Sequence, residues 1–150
     1  MENLKSEVYQ LCLTLVQKRI ETAETALAQA QEASNDDTKS SAGDKFETTR
    51  EMMQQDIFRN KSLLADAKQN LHQLESLNDV PVLDTVRNGT LVYTNNGIFY
   101  ISISAGQLVA NGQTVYAISA ASPVGQLFIG KKVKADFTFN NKQFIIEKIY

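Results

Sequence analysis

The chain has 150 residues, of which 43% are hydrophobic and 21% are charged, a composition typical of folded globular proteins and unlike that of disordered chains. It has no apolar run near the roughly 18 to 20 residues that a membrane-spanning helix needs, and no apolar signal segment follows its first residues. Its single cysteine and single histidine exclude an internal disulfide and a zinc site of the usual ligand number. We therefore expect a cytoplasmic protein without a membrane partner.

The charges are distributed unequally along the chain. Residues 1–79 carry 9 Lys and Arg against 14 Asp and Glu, a net charge of −5, whereas residues 80–150 carry 6 against 3, a net charge of +3. Most of the aromatic residues also follow position 79. These differences predict two domains, 1–79 and 80–150. Pro81 supports this boundary, because proline disfavours a helical conformation at the residue before it.

Apolar residues in the first domain recur at spacings of three and four, which is the period of an α-helix. This spacing predicts one helix over about 2–33 and a second over about 44–77. Residues 34–43 between them are small and polar without periodicity, as expected for a loop. Two such helices predict an antiparallel coiled-coil hairpin with a polar, acidic tip at 34–47. The predicted seam residues are Tyr9, Cys12, Val16, Ile20, Ala23, Leu27 and Ala30 of the first helix, and Met53, Ile57, Asn60, Leu64, Ala67, Leu71 and Leu74 of the second.

A second apolar stripe is confined to the first half of the first helix. Its residues are Leu4, Val8, Leu11 and Leu15. A helix with two apolar stripes is covered on two sides, so we expect the second domain to pack against this half of the helix.

After Pro81 the pattern changes to the alternation of β-strands. Thr94–Gly97 (Thr-Asn-Asn-Gly) forms a hairpin turn signal between the first two predicted strands. A short helix follows later, because Ser122 is a favourable N-cap, Pro123 suits the first helical position and a glycine ends the segment. The predicted fold class is α+β, with a small antiparallel sheet and one short helix. The predicted strands cover 91–93, 98–103, 114–118, 133–139 and 143–149.

The segment Ser122–Val133 resembles the signature of the C-terminal domain in the Gre family of bacterial transcript-cleavage and elongation factors. The family pattern is Ser-Pro, a small or apolar stretch, and then Leu-hydrophobic-Gly-Lys-Lys-Val-Gly-Asp. This chain follows the pattern through Val133 and departs from it at Lys134, where the family has its second glycine. Gly43–Glu47 resembles the Gly-Asp-x-x-Glu tip at the start of that family's second coiled-coil helix. Residues 144–149 resemble the family's closing strand. The resemblance therefore covers both predicted domains in their expected order.

The resemblance implies an FKBP-like C-terminal domain that docks on RNA polymerase near its secondary channel. The hairpin would enter the channel. It would act on the nascent RNA 3′ end only indirectly, through the polymerase. At the tip, Asp44 and Glu47 would share Mg²⁺ with the polymerase and assist its cleavage of backtracked RNA, so the chain would bind no cofactor alone and would not be an enzyme itself. The residues implied in partner binding are Ser122, Pro123, Gly130, Lys131 and Lys132.

The acidic residues of the tip have more than one interpretation. Asp44 and Glu47 are three residues apart, which places two carboxylates on one helix face where they could hold a hard cation. The same spacing fits a capping box with Asp44 as the N-cap, and the two roles are compatible. Asp36 and Asp37 are either solvated side chains or additional acids that face the metal.

Two other functions fit the same sequence. One is a regulator that occupies the polymerase channel and inhibits transcription without stimulating cleavage, since Thr48–Glu51 differs from the Asn-Ala-Glu-Tyr that usually follows in the family. The other is a coiled-coil adaptor or chaperone-like interaction protein. Lys131, Lys132 and Lys134 form the densest basic cluster, but three lysines in a chain of pI about 5.4 do not predict autonomous sequence-specific DNA binding. From the sequence pattern alone, the favoured interpretation of this cluster is a solvated edge.

Overall fold

Two long helices form the N-terminal half of the molecule. The computed structural model describes residues 2–37, 43–78 and 80–150, and the helices are α1 (Glu2–Asp37) and α2 (Gly43–Glu75). Helix α1 continues four residues beyond the predicted end at position 33. Residues 34–37 are polar but contain neither glycine nor proline, and extending an existing helix is much easier than starting one.

The C-terminal half is a six-stranded sheet with one short helix. The strand order is β3-β4-β2-β1-β6-β5, and neighbouring strands are antiparallel except for β2 and β4, which are parallel. The predicted α+β class is therefore confirmed. The elements are β1 (Leu91–Thr94), β2 (Gly97–Ser102), β3 (Gly106–Ala110), β4 (Gln113–Ser119), α3 (Pro123–Phe128), β5 (Asp136–Phe139) and β6 (Lys142–Ile149).

The sheet differs from the predicted one in three respects. Strand β3 was not expected, and its weak signal has a physical cause: it lies at the sheet edge, and Gln107 and Val109 are exposed. Strand β5 begins at Asp136 rather than at position 133, because Lys134 has a φ of 76°, which an extended strand cannot contain. The parallel pair of β2 and β4 corrects the expectation of a wholly antiparallel sheet.

The chain divides into two compact units, one formed by residues 16–71 and the other by residues 1–15 together with 72–150. The domain division at position 79 stays a prediction. Within the first unit, the buried side chains follow the predicted seam and alternate with exposed polar residues. The fully or nearly buried ones are Val16, Ala23, Asn60 and Ala67, and the half-buried ones are Ile20, Leu27, Met53, Ile57, Leu64 and Leu71.

Asn60 is the polar member of this seam. Its Nδ2 donates a hydrogen bond of 2.9 Å to the backbone oxygen of Asp56, one turn earlier in α2. A buried amide costs free energy unless it is hydrogen-bonded, and here its own helix supplies the acceptor. A polar residue at such a position favours one helix register over others at a cost in stability.

The substitution Leu64→Asp is expected to destabilise residues 16–71 by about 3 kcal/mol or more, because a carboxylate in the seam is hydrated only if the helices separate. The matched control is Leu63→Asp, since Leu63 is the next residue in the same helix and is 53% exposed. Thermal unfolding followed by helical circular dichroism compares the two variants. Equal loss of stability in both would contradict the assigned seam.

One face of the sheet packs against α3 in the second unit. The core of this face joins the interior strands β2, β1 and β6 with Phe128 of α3, which is completely buried. Phe128 contacts Phe99, Phe137 and Phe144, with ring centroids 4.9 to 6.4 Å apart. Aromatic side chains bury large areas, so this cluster fixes α3 on the sheet. Its buried members are Val86, Val92, Phe99, Ile101, Phe128, Phe144 and Ile146.

The other face of the sheet lies against the beginning of α1 and the end of α2, which belong to the same compact unit. The phenol of Tyr100 on this face is close enough to Cys12 and Tyr9 to interact electrostatically with them. The Glu7 carboxylate accepts a hydrogen bond from the backbone N–H of Asn111 in the β3–β4 turn, at 3.3 Å. Of the second apolar stripe, Leu4 and Val8 are buried, whereas Leu11 and Leu15 are half-buried. The buried residues of this contact are Leu4, Val8, Cys12, Leu74, Leu91, Tyr100, Val115 and Ala117.

Candidate functional site

The four acidic residues of the predicted tip lie at two adjoining helix ends. Asp36 and Asp37 are the last residues of α1, and Asp44 and Glu47 belong to the first turns of α2. Helix α2 begins at Gly43, which places Asp44 inside the first turn rather than at the N-cap position of the capping-box interpretation. The side chains of these four residues lie outside the described part of the structure, so their role as ligands stays a prediction.

The Ser-Pro motif forms the start of α3. Ser122 is the N-cap, with φ −68° and ψ 157°, and its Oγ accepts a hydrogen bond of 3.1 Å from the N–H of Gly125. The same hydroxyl donates to the backbone oxygen of Ser119 at 2.6 Å. Pro123 occupies the first turn, where its missing N–H costs nothing. Both features match the prediction for this segment, because capping depends on residues next to one another in the chain.

Gly125 is required by the close approach of α3 to the end of β4. A Cβ atom built at this position would lie 2.0 Å from the backbone oxygen of Ser119. No side chain is compatible with that distance unless the backbone shifts. The glycine between the proline and the apolar residues of the motif therefore allows α3 to pack directly on the turn that precedes it.

The Gly-Lys-Lys part of the motif lies beyond the other end of α3 and pairs with an earlier segment of the chain. Gly130, with φ 83°, donates its N–H to the backbone oxygen of Val86 at 2.8 Å. The N–H of Val86 donates to the backbone oxygen of Lys131, also at 2.8 Å, and Thr85 forms a β-bridge with Lys132. The motif thus connects α3 to residues 85–86, a contact that sequence spacing alone does not reveal.

The predicted partner-binding residues therefore occupy two places. Ser122 and Pro123 lie at one end of α3 and Gly130–Lys132 at the other, and six helical residues span about 9 Å. Pro123 and Lys132 are exposed, whereas Lys131 is half-buried.

An open groove lies beside α3. The sequence analysis did not identify Arg87 or Ile129 as groove residues, because Arg87 is far from α3 in sequence. Ile129 is 39% exposed. The groove is lined by Arg87, Asn88, Ala120, Ala121, Gln126 and Ile129.

The charges around this motif are mostly basic. Lys132 Nζ lies 3.8 Å from the Asp84 carboxylate, and both side chains are largely exposed. A surface ion pair of this kind contributes little to stability. Arg87 and the lysines therefore give the surface near the groove a positive character that suits an acidic protein partner.

A separate cleft in the same compact unit is lined by Lys5 of α1, Leu77 and Tyr100, among other residues. Partial burial lowers the pKa of Lys5 from its ordinary value, and the positive charge of Arg87 lowers this pKa further. Burial also raises the pKa of the Tyr100 phenol, with smaller contributions from Cys12 and Tyr9. The folded state therefore disfavours the charge on Lys5 and keeps Tyr100 neutral.

The substitution Lys5→Met is expected to raise the melting temperature at pH 7, because it removes a partly desolvated ammonium beside Arg87 while keeping the aliphatic stem. A lysine whose pKa is lowered on folding destabilises the protein most at pH values below its folded-state pKa. There the amine is charged in both the folded and the unfolded state. The gain should shrink as the pH rises toward the ordinary lysine pKa of 10.5. Lys18→Met on the exposed side of α1 is the control, and an equal gain in both variants would contradict this account.

Among the side chains that the structure describes, which do not include the four tip acids, no three His, Cys, Asp or Glu converge as a metal site. Over the same residues, neither long helix has a stretch apolar enough to cross a bilayer. Comparison of the chain with protein-family models, curated proteins and solved structures finds no match.

Proposed function

We propose that this chain is a Gre-like factor that binds bacterial RNA polymerase, inserts the tip of its helical hairpin into the secondary channel and stimulates cleavage of backtracked RNA. In this proposal α1 and α2 form an antiparallel coiled coil, and the C-terminal sheet is an FKBP-like docking domain. The hydrolysis is carried out by the polymerase, so the chain itself is not an enzyme. It acts in the cytoplasm.

The arrangement of the helix ends carries the proposal. Helix α1 ends at Asp37 and α2 begins at Gly43, so Asp36, Asp37, Asp44 and Glu47 lie within a few residues of the segment that joins the two long helices. Their carboxylate oxygens are the ligands that Mg²⁺ prefers. Two carboxylates alone bind this ion weakly, which suits a site completed by a partner's ligands. Asp44 and Glu47 would hold the shared ion, and Asp36 and Asp37 would add negative charge.

The C-terminal motif supports the same proposal from another direction. The residues that resemble the family signature each have a local role: Ser122 caps α3, Gly125 allows its close packing, and Gly130 makes the turn into the lysines. The residues that carry the resemblance therefore also meet local backbone requirements of this fold. Docking through Pro123, Lys131 and Lys132 would leave the two long helices free to enter the channel.

Binding to purified bacterial core RNA polymerase tests the docking step. We expect the wild-type chain to bind, and we expect the double substitution Lys131→Glu and Lys132→Glu to weaken binding at least about tenfold, since it reverses two charges at the proposed interface. Lys142→Glu is the control, because Lys142 is an exposed lysine at the start of β6 and away from α3. Failure of the wild-type chain to bind would exclude this function and leave the adaptor or chaperone-like alternative.

A second candidate function shares the binding mode. The residues after the tip acids are Thr48–Glu51 and differ from the family's usual Asn-Ala-Glu-Tyr. This difference favours a regulator that occupies the channel without stimulating cleavage. Binding to polymerase together with unchanged cleavage of backtracked RNA would support this candidate over the first.

A further inference from the structure

The middle of the C-terminal unit has no charged side chains. Residues 88–130 contain no Asp, Glu, Lys, Arg or His, although 21% of the whole chain is charged. This stretch covers β1 to β4 and α3. Charged residues normally keep protein surfaces soluble and apart, and they are depleted in the centres of protein–protein interfaces. The exposed part of the sheet within this uncharged stretch is therefore a candidate protein–protein contact surface.

That part includes a free sheet edge. Strand β3 is the last strand on one side of the sheet, and Gly106, Gln107 and Val109 are exposed, with Val109 63% accessible. An edge strand has unpaired backbone groups that can pair with another chain, and proteins usually protect such edges with charges or proline. Strand β3 has neither.

The opposite edge of the same sheet is protected in the usual way. Strand β5 begins with Asp136, which is exposed and accepts a hydrogen bond from Gln143 at 3.1 Å. Lys134 precedes the strand and Lys142 follows it. The two edges of one sheet thus differ in charge, and the unprotected one lies in the uncharged stretch.

The turn between β3 and β4 determines which backbone groups of β3 are free. Asn111 and Gly112 form a two-residue turn with φ of 52° and 74°, so Ala110 and its partner in β4 are a hydrogen-bonded pair. Hydrogen bonding alternates along an antiparallel pair. The N–H and C=O groups of Gln107 and Val109 therefore point away from β4, toward the open edge.

We propose that this edge is a homodimer interface, in which β3 pairs antiparallel with β3 of a second copy of the chain. A two-fold axis at Leu108 would place Gln107 of one copy opposite Val109 of the other and form four backbone hydrogen bonds. The two Leu108 residues would then form a non-hydrogen-bonded pair with their Cα atoms about 4.5 Å apart. In the single chain Leu108 is half-buried. A second copy of the chain is a suitable partner for this edge, because pairing two uncharged β3 strands brings no like charges together.

Sedimentation velocity over a concentration range from about 1 µM to about 500 µM tests the interface, since an edge contact this small gives weak binding. We expect the wild-type chain to shift from monomer to dimer. The substitution Val109→Pro removes one free N–H without breaking the β3–β4 ladder, and Val109→Lys places two charges beside the axis. Each should move the transition to at least about tenfold higher concentration.

The matched control is Thr114→Lys. Thr114 is the partner of Val109 in β4, so it lies on the same sheet face but one strand away from the edge. The Thr114→Lys variant should therefore dimerise as the wild type does. Hydrogen exchange gives a second readout: the amides of Gln107 and Val109 should become protected at high concentration only. A wild-type chain that is monomeric throughout the range, or Val109 variants that dimerise normally, would overturn the proposal.

The outcome is independent of polymerase binding. If Val109→Pro weakens binding to polymerase while the wild-type chain stays monomeric, the edge receives a strand of the partner and the dimer is wrong. If the chain dimerises but does not bind polymerase, the dimer interface stands and the proposed function fails.

Discussion

The substitution Gly125→Ala is expected to unfold the C-terminal sheet or to destabilise it by about 3 kcal/mol or more. The new Cβ would lie 2.0 Å from the backbone oxygen of Ser119, and a backbone atom cannot move aside as a flexible side chain can. Relief of the clash requires α3 to move away from β4, which separates Phe128 from its aromatic neighbours. Overpacking of this severity is among the few mechanisms that produce large effects.

Chemical denaturation followed by tyrosine fluorescence measures this effect. Gln126→Ala is the control, because Gln126 is the next residue in the same helix, is exposed, and loses one hydrogen bond from its side chain to the backbone of Ala121. That bond is worth about 1 kcal/mol. A Gly125→Ala variant as stable as Gln126→Ala would show that α3 does not pack on the β4 turn as described.

The substitution Asp44→Asn is expected to abolish stimulated RNA cleavage while leaving the protein folded. Asparagine keeps the size of the side chain but carries no charge for a cation, and a site with few ligands should release its ion when one carboxylate is lost. Asp44 lies in the first turn of α2, where a negative charge contributes about 0.3 to 1 kcal/mol through the helix dipole. Loss of stability should therefore stay below about 1 kcal/mol.

The comparison needs an acid that is not part of the proposed site. Glu51→Gln serves this purpose, because Glu51 is exposed in α2 one turn beyond the tip. Both variants are tested for release of short RNA 3′ fragments from a backtracked elongation complex. Normal cleavage by Asp44→Asn would disprove the metal role of this residue. Equal loss in both variants would indicate a general effect of charge at the hairpin tip.

Features that depend on neighbours in the sequence were predicted well. The seam through Ile57, Asn60 and Leu64 follows from a spacing of three and four, which one helix alone creates. The start of α3 follows from Ser122 and Pro123 because an N-cap needs only the residues of the next turn. These predictions depend on chain geometry, and no distant contact alters them.

Features that depend on distant contacts were missed. The pairing of residues 85–86 with 130–132 joins segments about 45 residues apart, and neither segment has a pattern that names the other. The parallel pairing of β2 with β4 has the same cause, because strand order is decided by packing of the whole sheet. Strand β3 carried a weak signal because an exposed edge strand does not require alternating apolar residues.

The residues of the candidate site also differ in whether the sequence could predict them. The acids Asp44 and Glu47 could be proposed from their spacing, because two positions three residues apart share a helix face. The groove beside α3 could not be proposed, since Arg87 reaches it from a segment that precedes the sheet. The lowered pKa of Lys5 could not be predicted from the sequence either, because burial and the proximity of Arg87 arise only after folding.

Cleavage of RNA in a backtracked elongation complex by purified bacterial polymerase, with and without the wild-type chain, tests the central claim most directly. If the chain is a Gre-like cleavage factor, RNA 3′ fragments should be released at least about tenfold faster in its presence, and the effect should require Mg²⁺. If the chain binds the complex and the rate of fragment release does not increase, the account of its function as a cleavage factor is contradicted.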